Sequence, residues 1–254
     1  MNELNYSNHS KRIATNTLVL FARMLIITIV NLYTVRWVLK GLGTEDYGIY
    51  NAVAGVVTTG TCISSVLAMA TQRFYSYAIG LGEKEKLTRI FSASVNLVIV
   101  FSIITILVLE LVGNWFVSTQ MTIPADRLSA SSWVFQFSIF SFIFTLLQIP
   151  YIGAIFSNED MGVYALVSSV DCFVKLLIAA LICMFGFDHL ILYSGAMMME
   201  SGIVMVVYML IASRKYIECR YTTKGIDKGL YKELISFSGW TFYGALSGMG
   251  MTQG

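Results

Sequence analysis

Apolar runs of membrane length succeed one another through this chain, with only short polar connectors between them. They cover about residues 16–39, 48–70, 91–113, 132–152, 163–185 and 190–211, and a further run opens near Leu234. A helix needs about 20 apolar residues to cross a hydrocarbon core, so each run suffices for one crossing. Inside lipid the backbone has no partner but itself, which keeps such a run helical in spite of its Gly, Ser and Thr. The reading is therefore an all-α integral membrane protein. Its expected plan is a cytoplasmic tail over 1–15, six transmembrane helices over 16–213, a basic linker over 214–233 and the start of a seventh helix over 234–254. Composition agrees: the chain is 56% hydrophobic and 13% charged with mean hydropathy +0.71, where soluble domains carry about 25% charge.

The connector between the first two runs reads RWVLKGLGTEDYGIYNAVA from Arg36 to Ala54. It gathers Gly41, Gly43 and Gly48 around Glu45 and Asp46, and its shortness predicts an antiparallel hairpin. Orientation follows from the basic residues. With the N-terminus inside, the cytoplasmic connectors collect Lys11, Arg12, Lys84, Lys86, Arg89, Arg214, Lys215, Arg220, Lys224, Lys228 and Lys232, whereas the outer loops hold Lys40 and Arg127. That asymmetry predicts a cytoplasmic N-terminus. The connector Ser157–Gly162 carries Glu159 and Asp160 with no Lys or Arg, and acidic residues count little in this rule.

Several classes of chemistry find no support in the residues. Lys11 and Arg12 precede an apolar stretch longer than a signal h-region, with no small-residue cleavage site after it, so the first run is expected to stay as a helix. Asn5-Tyr6-Ser7 and Asn8-His9-Ser10 match the glycosylation pattern but fall on the cytoplasmic side. Cys62, Cys172, Cys183 and Cys219 show no metal-ligand spacing and read as free thiols. The only histidines are His9 in a polar tail and His189 in a short turn, from which a metal site or dyad is hard to build. No metal, cofactor or nucleic-acid partner is expected. The outer loops are short, and Asp126, Arg127, Asp188 and His189 make no catalytic constellation, so no enzyme is expected. The last apolar segment has no basic flank after it, which predicts that the chain is a truncated piece of a longer one.

Charges inside the apolar runs need a reason, because each costs a few kcal/mol near the bilayer centre. Asp171 and Lys175 stand four apart on one helix face, where they neutralise each other. At about 1.5 Å per residue, Lys175 and Glu200 lie at similar depth, roughly 15 Å from the outer ends of their helices. A buried triad of Asp171, Lys175 and Glu200 follows, acting either as a structural pin between two helices or as a relay coupling H+ or Na+. Arg23 lies about two turns into the first run, sharing a polar stripe with Asn16 and Thr34. Arg36, about 220° further around the helix, leaves that stripe and lies where it can snorkel, as does Arg73. Glu110, close to Trp115, reads as interfacial. Together Arg23, Arg36 and Arg73 suit an anionic substrate such as a phosphate or pyrophosphate, since the planar guanidinium gives two hydrogen bonds at once.

RWVLKGLGTEDYGIYNAVAG (Arg36 to Gly55) resembles the first outer loop of polysaccharide-precursor flippases, the Wzx-type O-antigen and capsule branch of the multidrug/oligosaccharidyl-lipid/polysaccharide exporter superfamily. ATQRFYSYAIGLGEKEKLTRIFSAS (Ala70 to Ser94), IPYIGAIFSNEDMGVYALVSSVDCFVKLLIAAL (Ile149 to Leu181) and LISFSGWTFYGALSGMGMTQG (Leu234 to Gly254) are similar to the same branch. The resemblance implies a two-lobe MATE-like fold of about fourteen helices, of which this chain would be the six-helix N-terminal lobe plus a partial seventh helix. It implies export of an oligosaccharide carried on undecaprenyl diphosphate across the bacterial inner membrane by alternating access. Arg23, Arg36 and Arg73 then fall near cationic cavity positions, and Asp171 and Lys175 match the fifth-helix pattern. The family often has a basic residue near Asp160, which is missing here. The competing readings are a cation-coupled multidrug exporter of the same superfamily, favoured by Asp171 and Glu200, and a non-transporting membrane scaffold.

Overall fold

The computed structural model describes residues 2–58, 60–119, 121, 123–184, 188–222 and 228–253. Lys224 and the side chains of His9, Lys11, Arg12, Cys62, Lys84 and Cys183 lie outside the described residues. Among the described residues there is helix and no strand. The helices are α1 (Asn2–Thr58), α2 (Thr61–Leu81), α3 (Lys84–Val108), α4 (Asn114–Thr119), α5 (Leu128–Leu147), α6 (Ile149–Ser157), α7 (Met161–Leu181), α8 (His189–Lys215) and α9 (Lys228–Gln253).

α1 is two helical arms meeting at Gly43, whose φ of 81° and ψ of 172° lie outside helix geometry. Only glycine adopts such a pair of angles without strain. The first arm climbs alongside α7. Asn16 Nδ2 donates to the Glu159 carbonyl (3.2 Å), Arg23 Nε to Ser168 Oγ (2.5 Å), and Cys172 Sγ to Asn31 Oδ1 (3.5 Å). The second arm returns along α5 and α8, with Asp46 beside Arg127 at the head of α5 and the Tyr50 ring 4.9 Å from that of Tyr193. The chain therefore reverses at Gly43, the hairpin expected from the glycines around Glu45 and Asp46.

The helix expected over 48–70 is interrupted. α1 ends at Thr58 and α2 begins at Thr61, and Gly60 before α2 packs against Phe142 of α5: a Cβ there would lie 2.9 Å from the ring. The Thr61 hydroxyl donates to the Thr58 carbonyl (2.7 Å), one of the groups that the break deprives of a helical partner. Among the described residues, five helical stretches are long and apolar enough to cross a membrane: Ala14–Thr58, Glu85–Val117, Ala125–Ser157, Met161–Leu181 and His189–Lys215. Six crossings were expected over 16–213. The difference arises at the break, where the second crossing is shared between the end of α1 and the start of α2, and α2 is diluted by Ser64, Ser65, Thr71, Gln72 and Arg73.

α5 and α6 form the middle of the bundle. In the most apolar window of Ala125–Ser157, 56% of residues are buried, against 28% or less in each of the other four stretches. The two helices bend at Gln148, just before Pro150 at the start of α6, a position where proline's missing N–H costs nothing. Val134, Phe135, Ile139, Phe142 and Leu146 face a core shared with Val38, Val53 and Val57 of α1 and Leu190 of α8. A second core gathers Tyr75, Phe91, Ile155, Val167 and Tyr208 toward the Lys215 end. Beyond α3 the chain passes through a π turn, Leu109–Gly113, where Gly113 lets Phe135 approach to what would be 2.7 Å from a Cβ.

The outward faces are the reverse of a soluble protein's. Leu18, Phe21, Leu32, Leu111, Leu166, Ile203 and Trp240 all stand more than 60% exposed, an apolar surface compatible with a lipid surround. Residues 2–15, expected as a tail, are helical as the start of α1, and helix α9 begins at Lys228, six residues before the apolar run that opens near Leu234. α9 docks on α2 and α3, with Leu234 against Ala93 and Leu97 and with Asn96 Nδ2 donating to the Tyr231 hydroxyl (2.8 Å).

Candidate functional site

The helix periodicity that set Asp171 and Lys175 on one face of α7 brings both against Glu200 of α8. Lys175 Nζ lies 2.8 and 3.0 Å from the two Asp171 oxygens and 3.8 Å from Glu200 Oε2. Lys175 and Asp171 are 33% and 21% exposed at the side chain, and Glu200 only 2%. Neither Glu200 oxygen accepts a hydrogen bond among the described residues. The ammonium thus binds Asp171 closely and reaches Glu200 only by charge. Asp171 and Glu200 line a cleft of about 180 Å³ whose other walls are aliphatic, among them Val170, Val174, Ile203 and Val207. A carboxyl group held there has the Lys175 ammonium and the Asp171 carboxylate beside it, the chemistry of a group that takes up or releases a proton or small cation as its surroundings change.

The three arginines are not brought together. Arg23 is engaged within the protein: Nε donates to Ser168, Nη2 donates to the Tyr164 hydroxyl (3.2 Å), and the guanidinium lies 4.5 Å above the Tyr164 ring. Arg36 is exposed near the Gly43 turn. Arg73 stands on α2 with its guanidinium 4.3 Å above the Phe237 ring of α9. α1 packs chiefly on α7 and α5, whereas α2 packs on α6, α9 and α3. Among the described residues Arg23, Arg36 and Arg73 therefore have different neighbours, because helix counting fixes the depth of a residue and not the helix it meets.

Two ion-pair clips close the ends of the bundle. At the Gly43 end, Arg127 bridges Asp46 (3.1 Å) and Asp188 (2.9 Å), Asp188 Oδ1 accepts from the Leu190 amide at the start of α8 (3.0 Å), and His189 Nδ1 lies 2.9 Å from the Gly41 carbonyl. Arg127, Asp188 and His189, which made no pattern along the chain, thus belong to one cluster with Asp46. The readable signal was opposite charge on connectors of the same side. At the Lys215 end, Lys215 pairs with Asp160 at 3.0 Å, and the Tyr216 hydroxyl donates to the same carboxylate. Burial first, and then the Asp160 carboxylate, raise the Tyr216 phenol above its ordinary range. The basic partner missing from the α6–α7 connector is supplied by α8.

No family model, curated protein or solved structure matches this chain. What it does has to be argued from the geometry. Glu110 lies in the π turn and accepts from Gln136 Nε2 (3.2 Å), joining that turn to α5.

Proposed function

We propose that this chain acts in membrane transport, as the six-helix N-terminal lobe of a two-lobe MATE-like exporter. The cargo is an oligosaccharide on an undecaprenyl diphosphate carrier, moved across the bacterial inner membrane by alternating access for polysaccharide synthesis. The observation that carries a transport reading is Glu200: a carboxylate 2% exposed, within apolar helices, with no hydrogen bond and one cation at 3.8 Å. A scaffold gains nothing from a charge that costs a few kcal/mol at that depth. In a transporter the same charge gives H+ or Na+ something to bind. The cargo class rests on the resemblance of the four motifs, and the N-terminus is taken as cytoplasmic from the distribution of Lys and Arg.

The engagement of Arg23 by Tyr164 and Ser168 favours a second reading, the cation-coupled multidrug exporter. It leaves Glu200 as a buried carboxyl group with no hydrogen bond among the described residues and removes one guanidinium from the set available to a diphosphate. Both readings are tested on the full chain in liposomes. A fluorescent undecaprenyl-diphosphate oligosaccharide is placed in one leaflet, a proton or sodium gradient is applied, and glycosidase access from the other side is followed. A parallel set of vesicles is loaded with ethidium. Gradient-dependent exposure of the sugar, lost in Glu200→Gln, supports the flippase. Ethidium movement alone supports the drug exporter. Movement of neither cargo overturns both.

A further inference from the structure

α2 and α9 run antiparallel at the edge of the bundle and leave a groove of about 550 Å³ between them, opening outward. Its walls divide by chemistry. Arg73 and Lys232 carry the positive charge, Glu233 opposes one of them, and Tyr77, Phe237 and Trp240 supply aromatic surface. Neither Arg73 nor Lys232 makes an ion pair or hydrogen bond among the described residues, although Glu233 lines the same groove. Lys86 is different: it is matched by Glu83 at 3.1 Å while lying 5.6 Å above the Tyr77 ring.

The heights of these groups are ordered. Arg73 is level with Phe237, against whose ring it stacks. Lys232 is five residues before Phe237, about 7.5 Å closer to the start of α9, and Trp240 is three residues past it, about 4.5 Å further in. Charge therefore faces the helix end, and apolar aromatic surface continues inward through Trp240, 76% exposed, and Tyr243, 69% exposed. Stacking uses the face of the guanidinium and leaves its in-plane N–H groups free for a bidentate contact. A ligand that fills this groove has an anionic head and an apolar tail.

We propose that the groove between α2 and α9 holds an anionic phospholipid of the surrounding bilayer, with Arg73 and Lys232 taking its phosphate and Trp240 lying along an acyl chain. Basic pockets between helices near a membrane surface recognise anionic headgroups in this way. The site takes Arg73 out of the cargo pathway and stands whether or not the chain transports anything.

The test is quenching of Trp240 in nanodiscs by lipids brominated on the acyl chain. The reporter is the full chain with the exposed Trp37, Trp115 and Trp133 replaced by Phe. Brominated phosphatidylglycerol quenches Trp240 with an association constant about fivefold or more above that of brominated phosphatidylcholine. Arg73→Gln together with Lys232→Gln brings the two lipids to parity. Native mass spectrometry of the unsubstituted chain supplies a second reading, one retained phosphatidylglycerol that the double Gln variant loses. Equal quenching by both lipids overturns the proposal, as does a preference that survives the double substitution. Absence of quenching by either lipid also overturns it, placing protein against Trp240. Displacement of phosphatidylglycerol by equimolar undecaprenyl phosphate overturns this occupant in favour of the carrier lipid.

Discussion

Replacing Lys175 by Met separates the two roles that its ammonium plays. Asp171 is one-fifth exposed and 2.8 Å away, so it can turn toward solvent or headgroups once the partner is gone. Glu200, 2% exposed, cannot. At an effective dielectric of 20, attraction across the 3.8 Å to Glu200 amounts to about 4 kcal/mol, an upper limit. Lys175 is one-third exposed, which screens part of it, and we expect Lys175→Met to destabilise the chain by about 3 kcal/mol, at the low end for breaking a buried pair. Glu200→Gln should cost about 1 kcal/mol or less, because the carboxylate oxygens accept no hydrogen bond that the amide would lose. The double variant Lys175→Met with Glu200→Gln should then recover about 2 kcal/mol of the loss, a coupling typical of residues in one network. Unfolding by SDS in mixed micelles, followed by far-UV circular dichroism, measures all three against the parent. If Lys175→Met and the double variant unfold at the same SDS fraction, Lys175 is not what compensates Glu200, and the triad is no electrostatic unit.

Gly43→Ala should cost about 1–3 kcal/mol through backbone strain alone, since a Cβ there meets nothing within 4 Å. Gly48→Ala, equally unobstructed but helical, should instead be neutral or stabilising by up to about 1 kcal/mol, and the same SDS titration compares them. Gly153→Ala drives its methyl to 2.9 Å from Thr71 Cγ2 and should destabilise by about 1–3 kcal/mol. Adding Thr71→Ala should restore most of that loss, because the nearest remaining Thr71 atom is at 3.6 Å; a Gly153→Ala penalty unchanged by Thr71→Ala refutes the clash. At the Lys215 end, burial pushes the Cys219 thiol up to about 12. At pH 8 its thiolate fraction is on the order of one in ten thousand, so maleimide should label it far more slowly in the folded chain than in SDS. The unfolded thiol ionises near 9.0, so the folded state loses stability as pH rises from about 9 toward 12. Cys219→Ala should flatten that alkaline loss in a pH series of SDS titrations.

The helical class was legible because apolar runs of this length leave the backbone no alternative. So was the turn at Gly43, where three glycines flank two acids between two such runs. The meeting of Lys175 with Glu200 followed from counting residues along two neighbouring helices. What escaped was set by contacts across long stretches of chain. The close approach of Gly60 to Phe142 joins residues 82 positions apart in the sequence. Arg23 reads equally well as cavity-facing or paired until Tyr164 and Ser168 are seen beside it. Arg127 looked like an isolated outer charge because its carboxylate partners lie on two other connectors. Periodicity gives a residue its height and its face; the identity of the helix opposite comes only from how the bundle closes.

The pairing of Arg23 has a consequence for how the chain is made. Its hydrogen-bond partners Tyr164 and Ser168 follow it by 141 and 145 residues. At about 5–20 residues per second, roughly 7–30 seconds of synthesis separate the emergence of Arg23 from that of the side chains that satisfy it. Throughout that interval the first arm of α1 carries a bare guanidinium among apolar side chains. Until α7 is made, water or a group outside this pair has to solvate Arg23. The first arm of α1 is thus complete long before the side chains that lock it in place are made.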